Sequence, residues 1–421
     1  MRKPVSPAAP LSDAVATQYE QWVYPEPITD LAEWVAAGHS DAVDPQRMHL
    51  AYWPDGSFRE DLRILVAGCG SNQAATLAFT NPQAQVVGID ISSASLEHEA
   101  TLKKKHGLVN LTLQRRAIEE FADNSKPFDL VVSTGVLHHL ENPAQGLNAL
   151  KRVVHTDGVL SLMLYAKFPR TGIQMAQHFF DLLGLKQGAD DVSMVRETLE
   201  TMRPDHLANQ YVTAARDLDS DTGIVDTFLH PRERSYTVSN CLELLSECGL
   251  VFQGWVDPIY YYPDAQIPIS TALGQRVDSL SEPDVWQAME VFFGGVYRHL
   301  FYACTPQRVE QTYRIDFEGD SFLNYVPIKR PALSTPSGAD DGRPARIQPP
   351  RAPEFEFDQQ QARIFEQIDG QRTVFECLGA LEIDPKSTTT VSFARNFFRS
   401  LWRLQLVFLR IRSPAANSGR I

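Results

Sequence analysis

Apolar positions along the chain fall into short runs separated by stretches of helical pattern. Ile64, Leu65 and Val66 form a compact run with a β-branched bias, as a strand covered on both faces requires. Gly68 and Gly70 follow as a turn, and Gln73 to Phe79 starts a helix. An apolar strand recurs at Gln85 to Ile89, a less complete one at Leu111 to Glu120, and a fourth opens at Phe128. A helix at Ala144 to Val154, a turn at Asp157 and Gly158, and a strand at Val159 to Ala166 close the series. Strand and helix therefore alternate over residues 60–168, which predicts an α/β core built on a doubly wound, mostly parallel sheet.

The flanking pattern is different. Residues 1–59 begin Pro-rich and continue as an aromatic lead-in, VATQYEQWVYPEP, with the short amphipathic helix LAEWVAAG, and are expected to form a lid. Residues 169–225 carry helical runs at Gly172 to Leu185 and Val192 to Met202, too much chain for an ordinary loop, so an inserted helical cap is expected. Residues 226–326 resume helix and strand, add helices near Ser270 to Leu280 and Pro283 to Phe293, and place a strand at Arg298 to Thr305; this middle region is where a homodimer would form. Residues 327–353 hold seven prolines and SGADDGR, a composition that builds no core and reads as a linker. Residues 354–421 give helices at Phe357 to Ile368, Thr373 to Leu381 and Val391 to Trp402 and a strand at Leu404 to Ile411, a small winged-helix-like α+β domain.

Ligands of doubly wound sheets bind beyond the carboxyl ends of the strands, where Gly68 to Asn72, Asp90, the residues after Arg116, and Ser133 to Val136 converge. The two glycines let backbone N–H groups approach a ligand, and Asp90, about 20 residues after the turn, can accept both hydroxyls of a ribose. The alternative is a glycine-punctuated βα unit with Asp90 as an N-cap. Gln73 stands where a dinucleotide fold would have its third glycine, which disfavours a pyrophosphate.

The turn GCGSNQ resembles the GCGTGQ turn of class I S-adenosylmethionine-dependent methyltransferases, whose ligand carries a carboxylate and an amine in place of phosphates. Asn72 replaces a glycine, and Asn tolerates positive φ better than most residues. Phe128 to Leu140, FDLVVSTGVLHHL, followed by Glu141-Asn142-Pro143, resembles that family's fourth strand and loop. The resemblance implies a seven-stranded Rossmann-like sheet and S-adenosylmethionine as cofactor. It would be held by Ala67, Gly68, Cys69, Gly70, Asn72, Gln73, Asp90, Ile91, Ala117, Ile118, Glu119, Ser133, Thr134 and Gly135. Ala117 stands where many relatives carry an acid that binds the adenine amino group; backbone groups of Ala117 and Ile118, or Glu119, would read the adenine edge instead, unless Glu119 caps the next helix.

The lead-in resembles the YE…PYPRW segment of a bacterial branch, without its arginine, which makes Tyr19 and Tyr24 lid residues over the pocket or, alternatively, aromatics packed on the core. The segment Asp226 to Asp257 resembles the sixth-strand region of that branch, with Asp226, His230, Arg232, Tyr236 and Thr237 in matching positions; a helix cap at Thr237 beside a charged loop is the alternative. His139, as a proton acceptor near the methyl group, and Tyr236 are the catalytic candidates, against a role for the histidines in shaping the pocket. QIDGQRTVFECL and FFRSLWRLQLVFLR resemble the C-terminal winged-helix domain of some bacterial protein-lysine methyltransferases.

Composition narrows the partners. A net charge of −13 disfavours broad nucleic-acid contact, and residues 355–421 carry nine basic and seven acidic side chains rather than a concentrated basic face. Arg395, Arg399 and Arg403 repeat along one helix and keep that question open. Ser133-Thr134-Gly135-Val136 replaces the (Asn/Asp)-Pro-Pro-aromatic loop that holds a base's exocyclic amine. The five cysteines, at 69, 241, 248, 304 and 377, form no CxxC, so no metal site or disulfide framework is expected. The start lacks a signal-peptide core and no window approaches the length of a membrane span, so the expected setting is cytoplasmic. The expected acceptor is a protein side chain such as lysine, with a small molecule as one alternative and a non-catalytic cofactor-binding regulator as another.

Overall fold

The computed structural model describes residues 13–39, 42–122, 126–330, 345–348 and 354–412. The loose start expected for residues 1–10 and most of the expected linker lie outside the described residues. Two compact units divide the chain: residues 1–46, 59–252 and 294–307 form the first, and residues 47–58, 253–293 and 308–421 the second.

A seven-stranded sheet is built from β1 (Arg63–Ala67), β2 (Gln85–Asp90), β3 (Leu111–Arg115), β4 (Phe128–Thr134), β5 (Val154–Tyr165), β6 (Val251–Trp255) and β7 (Arg298–Cys304). Their order is β3-β2-β1-β4-β5-β7-β6. β1 to β5 run parallel, and β7 enters antiparallel to β5. The central strands are apolar because helices cover both faces: Ile64 to Ala67 and Leu130 to Val132 are buried without exception. β5 begins five residues before the expected Val159, because Val154 pairs with Phe128 across a register shift and the Asp157-Gly158 turn becomes an irregularity within the strand.

The segment expected as a cap forms helices Thr171–Leu182, Ala189–Thr201 and Asp221–Phe228, which enclose a core of their own around Ile173, Phe180, Val195, Ile224 and Phe228. The lead-in helix Ala14–Gln21 is tied to the sheet by Glu20. Its carboxylate accepts from the Ser93 N–H at 2.9 Å, the free start of helix Ser93–His106, and pairs with Arg115 at 2.7 Å.

In the second unit β8 (Val326–Lys329) pairs antiparallel with β11 (Val407–Arg410), and β9 (Ala345–Ile347) with β10 (Phe355–Phe357). Helices Gln359–Glu366, Val374–Gly379 and Thr388–Arg403 close over a core that joins Phe357, Phe365 and Phe398 to Ile259 and Phe322. The segment expected as a linker thus starts inside one strand and contains another. Pro327 is tolerated because a two-stranded ribbon has only edges, and a count of prolines carries no information about partner strands far along the chain. The arginine stripe is engaged within this unit: Arg395 pairs with Asp320, Arg399 with Asp278, and Arg403 with Asp264 and Asp278.

Candidate functional site

β1 ends at Ala67 and the chain turns through Gly68 at φ +76° and Gly70 at φ +58°. Both positions need glycine twice over. A Cβ on Gly68 would lie 2.3 Å from a methyl of Val136, and one on Gly70 would lie 3.0 Å from the Tyr24 carbonyl oxygen. Asn72 does not use left-handed backbone: at φ −153° it is the N-cap of helix Gln73–Thr80, so its tolerance of positive φ is not what accommodates the missing glycine. Gln73 Nε2 donates to Thr134 Oγ1 at 3.2 Å, joining the turn to the end of β4, and Ser133 Oγ donates to the Ala67 carbonyl at 3.2 Å. Gly135 continues the second loop at φ +79°.

Asp90 closes β2 opposite the turn. Its Oδ2 accepts the Gly70 N–H at 2.8 Å and its Oδ1 the Ser92 N–H at 2.9 Å, and burial raises its pKa against these bonds. An ionised carboxylate has about four acceptor positions, so two N–H bonds leave capacity on both oxygens. Ile91 follows, its carbonyl accepting from Arg115 Nε at 2.9 Å. Ala117 and Ile118 are buried at the start of a 3₁₀ turn, Ile118–Glu120, of which Glu119 is itself a member. Burial raises the pKa of Glu119, which lines a cleft of about 1190 Å³ together with Tyr236, Lys167 and Arg234.

Underneath the turn lies a group that sequence reading missed. Glu99 is fully buried, and its two oxygens accept the N–H groups of Ala74 and Ala75 at 2.9 and 2.8 Å, at the start of the helix that follows the glycines. Burial pushes its pKa up to about 8 despite those bonds. Nothing in the string SASLEHEATL marks this position, because the donors come from a different helix.

Beyond β4 a polar cluster assembles from five separate segments. Tyr19 donates to Asp226 Oδ1 at 2.9 Å and Tyr165, the last residue of β5, to Oδ2 at 3.4 Å. His230 Nε2 lies 3.3 Å from the Tyr19 oxygen, and its ring stacks on His139 at 3.8 Å between centroids. His139 Nδ1 is 2.8 Å from the Arg232 carbonyl. Arg170 is held by Glu233 through two contacts, 3.1 and 2.7 Å, and sits 3.8 Å above the Tyr165 ring. Burial raises Asp226 to about 7 and lowers His139 to about 4. His138 is fully buried, with neither ring nitrogen hydrogen-bonded, and packs on Tyr165.

The structure therefore brings His139 together with Tyr19, Asp226 and His230, and places Tyr236 apart from them in the wall of the cleft. Tyr24 donates to Asp217 of the cap at 3.3 Å, and the Tyr24-Pro25 bond is cis. The alternative of a cap at Thr237 holds in the structure: its hydroxyl accepts the Asn240 N–H in a capping box on helix Val238–Glu247. Tyr165, Arg170, Glu233 and Glu99 escaped sequence reading; a tyrosine after the apolar run Leu162-Met163-Leu164 was the one signal available.

A methyltransferase-domain family profile matches residues 58–202, the span of the glycine turn, Asp90 and the β4 loop. With the β3-β2-β1-β4-β5-β7-β6 order this is decisive. Residues 58–202 carry a methyltransferase domain on a class I fold. Among relatives, an uncharacterized Synechococcus protein is 27% identical over 278 residues, covering 64% of this chain and 66% of its own length. The ubiquinone biosynthesis O-methyltransferase of Alkalilimnicola ehrlichii is 30% identical over 129 residues, 30% of this chain and 48% of that protein. The match thus spans less than two thirds of either relative's length. PKMT2 from Rickettsia typhi, in a structure with AdoHcy, superposes with a TM-score of 0.62 at 12% identity, over 88% of this chain and 76% of that one, a likeness of fold. Among the described residues no helix is long and apolar enough to cross a membrane.

Proposed function

We propose that the protein is an S-adenosylmethionine-dependent methyltransferase whose acceptor is a protein side chain such as lysine. The observation that carries the cofactor assignment is Asp90, a buried carboxylate with spare acceptor capacity facing a turn in which a Cβ on either glycine would have no room. The residues fit the group: Asp90 would take the ribose hydroxyls, the N–H groups of the Ala67-Gly68-Cys69-Gly70 turn would face its amino-acid end, and Ile91, Ala117, Ile118 and Glu119 would border the adenine. Asn72, Gln73, Ser133, Thr134 and Gly135 hold the two loops in place, and Tyr19 and Tyr24 close the lead-in over them. When bound, the cofactor supplies a methyl group activated on a sulfonium. The chain's own contribution is orientation and exclusion of water, which in-line transfer needs more than it needs a nucleophile.

His139 is the acceptor-side candidate with an open lone pair. With its pKa near 4 it is neutral, and acts as a hydrogen-bond acceptor more readily than as a strong base. Tyr236 belongs to the acceptor route through the cleft. A small-molecule acceptor is the second reading, supported by the O-methyltransferase likeness over the core. The proposed setting is cytoplasmic, supported by five buried cysteines that are all free thiols. A homodimer through the middle region is supported by the exposed Val291 and Phe292 of helix Glu282–Phe293. The C-terminal helices remain proposed as a winged-helix-like docking module.

Cofactor at about 100 times its Kd should stabilise the protein by roughly 2.7 kcal/mol, read as a melting shift that Asp90→Ala removes. No shift in the wild type would sink the cofactor assignment. Labelled methyl groups followed into a fractionated cell extract should appear in protein. Label confined to small molecules would select the second reading, and binding without any transfer would select a non-catalytic regulator.

A further inference from the structure

The cluster beyond β4 has a hydrogen-bond direction that can be read from its backbone contacts. The Arg232 N–H donates to His230 Nδ1 at 3.1 Å, so the neutral ring carries its proton on Nε2 and donates it to the Tyr19 oxygen. Tyr19 must then donate its own proton to Asp226 Oδ1, and Tyr165 donates to Oδ2. The donors of Tyr19 and Tyr165, and of His230 through Tyr19, run toward one buried carboxylate. No cation pairs with Asp226 among the described residues, because the nearby guanidinium of Arg170 is held by both carboxylate oxygens of Glu233. His139 is oriented oppositely: its Nδ1–H donates to the Arg232 carbonyl, which leaves Nε2 as the lone-pair nitrogen, with no hydrogen-bond partner among the described residues.

A metal ion is the obvious occupant to consider, since one ligand atom each of His139, Asp226 and His230 lies within 4.8 Å of the others. The tautomers oppose it. Both nitrogens of His230 are engaged, one as acceptor from a backbone N–H and one as donor to Tyr19, so His230 has no lone pair to give. Asp226 has no ion-paired cation of its own among the described residues, since Arg170 pairs with Glu233.

We propose that this cluster is the acceptor site of the methyltransferase and takes a primary alkylammonium group, with Asp226 as charge partner and proton acceptor and His139 Nε2 accepting a second N–H to orient it. The assignment rests on the methyl-transfer reading above. In the step, one ammonium N–H bond breaks and its proton passes to Asp226. The freed nitrogen lone pair forms the new N–CH3 bond while the electron pair of the broken S–CH3 bond stays on the departing sulfide. The product is a methylated ammonium, and Asp226 returns its proton to solvent. Burial suits both residues to these parts, holding Asp226 near 7 and His139 neutral. The groups that face Asp226 are Tyr19, Tyr24, Tyr165, Tyr211, Arg170 and Glu233, so ionisation of the carboxylate controls the charge offered to the ligand.

The test uses n-butylammonium as a side-chain mimic and n-butanol as its neutral counterpart, added to the full chain saturated with S-adenosylhomocysteine. Butylammonium should raise the melting temperature, more so as pH rises through about 7, and butanol should not. Asp226→Asn should weaken the ammonium effect about tenfold or more while the melting shift due to S-adenosylhomocysteine persists. Label recovered from methylated protein should survive acid hydrolysis as an N-methyl amine. An equal response to butanol, an ammonium effect that survives Asp226→Asn, stoichiometric zinc uptake that abolishes it, or alkali-labile label would overturn the proposal. If Asp226→Asn does not fold, the butanol comparison in the wild type decides alone. Loss of the S-adenosylhomocysteine shift itself would overturn the underlying cofactor reading, whereas its presence without an ammonium response defeats only this one.

Discussion

Asp90 and Glu99 are both buried carboxylates within the same βα unit, yet only one was legible. Asp90 announces itself by position, at the end of a strand about 20 residues past a glycine turn, a spacing tied to the ligand. Glu99 lies mid-helix among polar residues and becomes a structural group only when helix Gln73–Thr80 presents two N–H groups to it. Its raised pKa has a definite sign. A carboxyl with a folded pKa near 8, against 4.5 for the unfolded group, favours the protonated native state. The stability it lends is fully present below about 4.5 and is lost as pH rises through about 8. Urea unfolding of the wild type should thus show a fall in stability across that window, and Glu99→Gln should flatten it; parallel pH profiles would show that Glu99 does not titrate there. Asn72 gives the opposite lesson: the residue was read for its backbone tolerance, and the structure places it at the N-cap position of helix Gln73–Thr80, without a side-chain cap bond.

Among elements, helix Thr388–Arg403 shows how a periodic charge pattern acquires its meaning from what it packs against. Arg395, Arg399 and Arg403 share a face in the sequence, as a nucleic-acid stripe would, but acids from other segments of the same unit meet all three. Arg403 is the most buried, with Asp264 and Asp278 as partners at 3.4 and 3.0 Å. Arg403→Ala should cost about 3–5 kcal/mol, because it strands the buried carboxylate of Asp264 without a cation while Asp278 keeps Arg399; a chemical-denaturation loss under about 1 kcal/mol would count against that role. The alternating strands of the core were legible because parallel strands under helices must be continuously apolar. The boundaries of β5 and β8 were not, since a register shift and a distant partner set them.

For the whole molecule, the order of elements was legible but the grouping into units was not. Val326–Lys329 finds its partner in Val407–Arg410, about eighty residues on, and Phe322 and Ile259 share a core with Phe365 and Phe398. A chain ending at residue 353 should therefore lose amide-exchange protection over residues 326–329 and expose that core, while β1 to β5 keep theirs. Unchanged protection in residues 326–329 would show that the final segment folds apart.

The sequence by itself determined the alternating α/β core, the glycine turn and its acid, and hence the class of methyl donor, because these depend on local periodicity and fixed spacing. Only the tertiary structure decided the cluster of Tyr19, His139, Tyr165, Asp226 and His230, the buried cap at Glu99 and the strand pairing that completes the second unit. Each joins residues that are tens to hundreds of positions apart, and no local pattern encodes which side chains the folded chain will bring within hydrogen-bonding distance.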